Sequence, residues 1–252
     1  MTESTQGREE RRAELAAGLA RTRARIADAC AAAGRDRGEV TLIAVTKTYP
    51  ASDVELLGGL GVTEVGENRD QEAAPKARAV AAAGTRVTWH FVGQLQRNKC
   101  RSVVGYADVV HSVDSVRLAR ALADAARRHR DRPLDVLVQV SVDGDPARGG
   151  ALAPAWGADA VEADRRLDEV AAVVAGDGPL RLAGLMAVAP LGWQPTAAFE
   201  RLAAIAARFR VDHPTATALS AGMSADLEEA IRYGATHVRV GSALLGMRPT
   251  LR

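Results

Sequence analysis

Residues 42–50 read LIAVTKTYP: four apolar residues run into a single lysine, Lys47, and a tyrosine and a proline then end the run. A short segment so nearly free of polar residues matches a parallel strand covered on both faces, rather than a surface strand with one wet face. Lys47 then falls at the carboxyl end of that strand. An amine beside such low-dielectric surroundings loses hydration, which favours its neutral, nucleophilic form and suits it to Schiff-base formation. The competing reading is a lysine that snorkels to solvent from the strand end.

Outward from this stretch, strand-like runs recur at Val40–Val45, Val62–Val65, Val87–Val92, Val109–His111, Leu134–Val142, Leu180–Val188, Thr217–Leu219 and His237–Val240. Helical patterns follow them at Ser52–Leu60, Asp70–Ala83, Arg97–Val104, Ser115–Arg130, Asp159–Val174, Thr196–Arg210 and Ser224–Tyr233, with a short last piece from Ala243. Strands that each lead into a helix imply right-handed crossovers and an all-parallel sheet. In about 250 residues the natural closure is a (β/α)8 TIM-type barrel. An open doubly wound sheet is the runner-up, but the first strand-to-helix turn, TKTYPAS, lacks the glycine-rich dinucleotide fingerprint. Ahead of the barrel, a polar leader (residues 1–8) gives way to an amphipathic helix over Glu9–Ala33, with Leu15, Leu19 and Ile26 at helical spacing and Gly34 as the stop. Its basic face reads as solvated. Residues 9–252 are expected to form one domain, in which Gly149–Gly157 is the expected mobile loop.

The chain has 252 residues, 47% hydrophobic and 25% charged, with a formal net charge of +2. That is ordinary globular composition. Aromatic residues make up only 4%, and the basic residues form no dominant cluster, so nucleic acid is not an expected partner. Cys30 and Cys100 lack CxxC spacing, which argues against a cysteine zinc site and for a reducing compartment. No apolar run approaches the ~18 residues of a membrane span, and MTESTQGREERR has no signal-peptide core. The expectation is a soluble cytoplasmic protein. No apolar helix face compels a dimer, so a monomer is expected.

Polar and special residues cluster at the carboxyl ends of the strand-like runs: Lys47; Gly66, Glu67 and Asn68; His90, Gly93 and Gln94; Ser112 and Asp114; Ser220–Ser224; Arg239, Gly241 and Ser242. In a β/α barrel that rim is where chemistry takes place. The last two loops, SAGMS and VGSALLG, place glycines and hydroxyls before helix starts, whose first-turn amides lack partners. Together they make a phosphate cradle. The alternative for Ser224 is a plain helix N-cap, and for Gly222 a turn residue. A lysine facing a phosphate cradle points to pyridoxal 5′-phosphate (PLP). Arg239 would then face the ring nitrogen, and as a donor-only group it would leave that nitrogen unprotonated, weakening the ring as an electron sink. The alternative is an arginine pairing a carboxylate inside the rim.

The stretches LIAVTKTYP (42–50), VGENRDQEAAPKA (65–77), WHFVGQLQRNK (89–99), HSVDSVRLARAL (111–122), GLMAV (184–188) and LSAGMSADLEEAIRYGATHVRVGSALLG (219–246) carry a family resemblance. The chain resembles the pyridoxal phosphate homeostasis protein family, related in fold to the amino-terminal barrel of alanine racemase. The resemblance implies Lys47 as the Schiff-base lysine and Ser224, Gly241 and Ser242 as phosphate contacts. It also implies Arg239 at the ring nitrogen, with Asn68, His90 and Met223 lining the pocket. One departure is Arg148-Gly149-Gly150, where family members more often carry lysine-serine-glycine, so nothing is carried over to that loop.

Two functions compete. A PLP-dependent racemase-like enzyme needs an acid and a base on opposite faces of the substrate Cα. Beyond Lys47, the three tyrosines offer no clear second group, no residues remain for a further domain, and His90 is the one remaining candidate, although a lone strand-end histidine is more often a hydrogen-bonded core residue. A carrier that holds PLP on Lys47 and releases it to PLP-dependent apoenzymes needs no second group, and this is the favoured expectation. A sugar-phosphate enzyme with Lys47 as an aldolase-type amine is a third reading, weakened because Glu67 and Asp114 are the only clear rim carboxylates.

Overall fold

The structure, a computed structural model, describes residues 5–145, 148–153, 163–176 and 178–246. Helix α1 (Thr5–Ala32) precedes strands β1 (Thr41–Val45), β2 (Glu64–Glu67), β3 (Thr88–Phe91), β4 (Val109–Val113), β5 (Leu134–Gln139), β6 (Leu180–Met186), β7 (Ala218–Ser220) and β8 (His237–Val240). Between and after them come α2 (Ala51–Gly59), α3 (Asp70–Ala82), α4 (Cys100–Val103), α5 (Val116–His129), α6 (Leu167–Ala175), α7 (Pro195–Asp212), α8 (Leu227–Arg232) and α9 (Ser242–Leu245). The strands pair in sequence order and the sheet closes on itself, with β1 running parallel to β8 from Thr41–His237 to Ala44–Val240. The molecule is the expected (β/α)8 barrel.

The apolar core lies mainly outside the strand ring. Val110, Val136, Val138, Leu185 and Leu219 turn outward against α5, α6 and α7, where Leu122, Val170 and Leu202 are buried. On the other side Ala44, Val65, Val238 and Val240 meet α1, α2 and α8. Because side chains alternate along a strand, the residues between these point into the ring. A Cβ built on Gly66 would meet the Ile43 and Val45 side chains, which places those three positions on the inner face. Much of the remaining interior is polar, with His90, His111, Ser220 and Arg239 all buried.

Several boundaries differ from the sequence reading. Helix α1 begins at Thr5 rather than Glu9, with Gln6 bonding Glu10 one turn on. Its basic face is not simply solvated: Arg11 pairs with the buried Asp53 at 2.6 Å and Arg25 with Glu228 at 2.8 Å, which ties α1 to the barrel. Just past the helix, Arg35 donates to the Ile231 and Ala235 carbonyls. Helix α8 starts at Leu227 with Asp226 at its N-cap position, not at Ser224, because Asp226 Oδ1 turns back to accept from the Met223 amide at 2.6 Å. Residues 159–162 of the helix expected from Asp159, and residues 154–157 of the expected mobile loop, lie outside the described residues. Both cysteines are buried free thiols, and among the described residues no helix is long and apolar enough to cross a membrane.

Candidate functional site

Four neighbouring strands, β7, β8, β1 and β2, bring the expected residues to one stretch of the carboxyl rim. The β1 ladder continues one residue past the strand, where the Thr46 amide donates to Gly66 O at 2.9 Å. The Thr46 side chain faces outward to Glu67, so the alternation turns Lys47 inward at the barrel mouth. Lys47 is half-buried, and its amine has no hydrogen-bond or ion-pair partner among the described residues. Thr48 follows with φ of 70°, the one non-glycine residue of positive φ among those described. Such a conformation costs about 1–3 kcal/mol in a β-branched residue and persists only where the surroundings impose it. Here the Thr48 amide is fixed by Glu72 Oε2 at 3.1 Å.

Only three lysines occur in the whole chain, Lys47, Lys76 and Lys99. Lys76 is buried and committed to Glu67 Oε1 at 2.6 Å and to the Thr46 carbonyl at 2.8 Å. Lys99 lies 4.0 Å from Asp70. Lys47 is therefore the lysine left available at the mouth. Glu67 points away from the mouth into the layer beneath α3, where burial pushes its carboxyl upward against the pull of Lys76. The sugar-phosphate reading thereby loses one of its two carboxylates, and Asp114 Oδ2 is engaged by the Gly150 amide at 3.4 Å.

The two glycine loops stand side by side. The Arg239 amide donates to Gly222 O, and Gly241 sits against the Val45 carbonyl, two residues before Lys47. Gly222 has φ of 86°, and a Cβ there would come within 2.6 Å of the Ala230 Cβ, so only glycine closes this turn. The backbone amides of Ser224, Gly241 and Ser242 donate to no protein acceptor among the described residues. Helix α1 braces both loops from behind. Arg25 Nη2 donates to Ser224 O at 3.0 Å and Arg11 Nη2 to Leu245 O at 3.0 Å, while α9 lies so close that a Cβ on Gly18 would overlap the Leu244 carbonyl. The sequence reading missed these supports, although the spacing of Arg11, Gly18 and Arg25 at whole helical turns carried the signal.

Arg239 is buried and pairs with no carboxylate among the described residues. Its Nη1 donates to Ser220 Oγ at 2.7 Å and its Nη2 to Ala187 O at 2.8 Å. Burial lowers its pKa to about 10, which leaves it charged at neutral pH. Two of five N–H groups are used, so the guanidinium keeps donors for a further acceptor. Met223 is exposed at the rim, and the Asn68 Oδ1 atom is buried without a partner. His90 differs from expectation. Its Nε2 contacts Glu64 Oε2 at 2.7 Å and its Nδ1 contacts His111 Nε2 at 2.8 Å, so both ring nitrogens are used inside the barrel. Contact between His90 and a ligand at the mouth does not follow from this position.

Unpaired amides, a free amine, an arginine with spare donors and an orphaned amide oxygen fit a phosphorylated aldehyde with a heteroaromatic ring. Of the three tyrosines only Tyr49 stands on the loop that carries Lys47, and its hydroxyl is engaged; the Tyr106 hydroxyl is buried without a partner among the described residues. Tyr49 donates to Gly246 O at 2.7 Å, Tyr106 is packed edge-on to Trp89, and Tyr233 lies at the end of α8 beneath Arg232.

Residues 19–249 match the family model described as alanine racemase, N-terminal domain. A pyridoxal phosphate homeostasis protein of Mycobacterium tuberculosis is 46% identical, over 95% of each chain. The structure of PipY of Synechococcus elongatus with PLP bound superposes with a TM-score of 0.71 at 33% identity, covering 88% of this chain and all of that one. Alanine racemase of Corynebacterium glutamicum shares the fold alone: TM-score 0.66, 14% identity, over 95% of this chain but 62% of the racemase. The chain belongs to the alanine racemase N-terminal domain family and, within it, to the pyridoxal phosphate homeostasis proteins.

Proposed function

We propose that this protein binds PLP at the rim formed by β7, β8, β1 and β2, with Lys47 as its covalent anchor, and that it holds and releases the cofactor rather than using it in turnover. The observation that carries this reading is the convergence of one unpartnered lysine with two loops whose amides lack protein acceptors. Bound PLP supplies an aldehyde that condenses reversibly with an amine. Everything else is the work of the chain. The Ser224, Gly241 and Ser242 amides take a phosphate; Asn68 and Met223 border the ring; Arg239 donates to the ring nitrogen and, staying charged, gives it no proton. His90 acts from behind Arg239.

Release fits the same geometry. Lys47 is only half-buried at the mouth, so a competing amine can reach it. Large apolar residues exposed among those described include Val188, Leu191, Trp193 and Met223, which lie on the loops after β6 and β7 beside the mouth. PLP-dependent apoenzymes are the proposed recipients, and the protein acts as a cytoplasmic monomer.

The test is the absorption spectrum of protein loaded with PLP. Wild type shows a visible band that borohydride abolishes, and Lys47→Ala lacks it. A Lys47→Ala protein that keeps the band overturns the anchor, and racemisation of single-enantiomer alanine by purified protein overturns the carrier reading.

A further inference from the structure

A continuous line of side chains runs through the barrel from its amino-terminal face to Arg239. Glu64 Oε2 meets His90 Nε2 at 2.7 Å, and His90 Nδ1 meets His111 Nε2 at 2.8 Å. His111 Nδ1 meets Ser220 Oγ at 3.0 Å, and Ser220 Oγ accepts from Arg239 Nη1 at 2.7 Å. His111 is on β4 and Ser220 on β7, strands that do not pair, so their contact crosses the interior. His90, His111, Ser220 and Arg239 are buried; only Glu64, at the start of β2, reaches solvent, with a side chain 23% exposed.

The direction of every proton in this line follows from its top end. Arg239 can only donate, so Ser220 Oγ accepts from it and has its own hydrogen to give. The His111 Nδ1 atom is the acceptor within reach, which puts the His111 proton on Nε2. That proton goes to His90 Nδ1, so His90 carries its own on Nε2 and gives it to the Glu64 carboxylate. In the reverse arrangement His90 is doubly protonated and His111 donates to Ser220. The fully buried Ser220 hydrogen then has no acceptor among the described residues, and a second positive charge enters an interior already holding Arg239. Burial disfavours charge in this interior, as it does at His111, which it holds well below its ordinary pKa with Arg239 adding to the effect. At the foot, the hydrogen bond from His90 holds the Glu64 carboxyl below its ordinary range in spite of burial. His237, whose ring centre lies 6.4 Å from that of His90, is bound to Thr236 Oγ1.

We infer that Glu64, His90, His111 and Ser220 form a one-way hydrogen-bond chain that positions Arg239, fixing its guanidinium so that its remaining donors face the cofactor ring. This rests on the PLP reading for its purpose but not for its polarity. A carboxylate on the far face of the barrel thus sets the aim of a group at the mouth, through three neutral residues. Such a chain is cooperative, each bond polarising the next, and it offers the ring side a donor and no acceptor.

The test begins with apoprotein and nitrogen-15 NMR of the imidazoles at neutral pH. Both His90 and His111 are expected as neutral rings protonated on Nε2. His111 protonated on Nδ1, or either ring doubly protonated, overturns the chain. In Glu64→Leu, which removes the acceptor at the exposed foot, the two rings lose their single tautomer and the visible band of PLP-loaded protein shifts. Glu64→Gln keeps an acceptor oxygen and restores both signals. Ser220→Ala cuts the chain beside Arg239 and shifts the band with the foot intact. Bands identical to wild type in both Glu64→Leu and Ser220→Ala overturn the positioning role. Wild-type tautomers as stated, in a protein that develops no visible band, sink PLP binding while the polarised chain stands.

Discussion

At the scale of single residues, the available amine is isolated by what its neighbours do. Lys76 is the nearest competitor in sequence, and the fold consumes it: its ammonium, Glu67 and Thr46 form a closed cluster one residue from Lys47 but on the outer face of the strand ring. Glu67 is fully buried with its second oxygen unpaired, so its charge depends on Lys76. Lys76→Met strands that carboxylate and is expected to cost about 3–5 kcal/mol, whereas Lys76→Met with Glu67→Leu recovers most of the loss. Urea unfolding of the three proteins decides this; equal stability of the single and double variants contradicts it. The cluster also locks Thr46, which fixes where the next residue, strained Thr48 aside, can send its side chain.

Among the elements, α1 matters more than its place ahead of the barrel implies. It carries Gly18 against α9 and reaches Ser224 O and Leu245 O with arginines, so it braces both glycine loops from behind. Gly18→Ala forces α9 outward at a cost of about 1–3 kcal/mol. It is expected to weaken PLP binding in a fluorescence titration although the residue lines no part of the site; unchanged affinity would separate α1 from the cradle. The barrel itself was legible because each strand is a short apolar run ending in special residues, LIAVTK and VRVGS above all. The role of α1 was marked only by the seven-residue spacing of Arg11, Gly18 and Arg25, because a helix rich in arginine has the same composition whether its charges meet water or backbone carbonyls. The start of α8 was misplaced for a related reason: Ser224 and Asp226 are both good caps, and only the fold shows Asp226 turning back to the Met223 amide. His90 was legible as a strand-end histidine, but its partners His111 and Glu64 come from other strands, and no local pattern announces them.

Across the whole molecule, buried polar side chains share the barrel interior with branched apolar ones such as Ile43 and Val45, where apolar layers usually dominate. This makes stability depend on pH in a definite direction. Burial, reinforced by Arg239, lowers the His237 pKa from 6.5 to about 4, and His111 is also held well below its ordinary value. As pH falls the unfolded chain takes up these protons first. Stability is therefore full above about pH 6.5 and is lost on the way down to about pH 4, by about 3 kcal/mol for His237 alone. Thermal unfolding midpoints at pH 7 and pH 5 measure this, and equal midpoints contradict a neutral buried histidine cluster. The same interior supports the rim, where four adjacent strand ends converge on one amine. The most direct test of that convergence is to load the protein with PLP, reduce it with borohydride, and locate the modified residue by peptide mass mapping. The account predicts a single cofactor adduct on Lys47; an adduct on Lys76 or Lys99 instead, or none on any lysine, would contradict it.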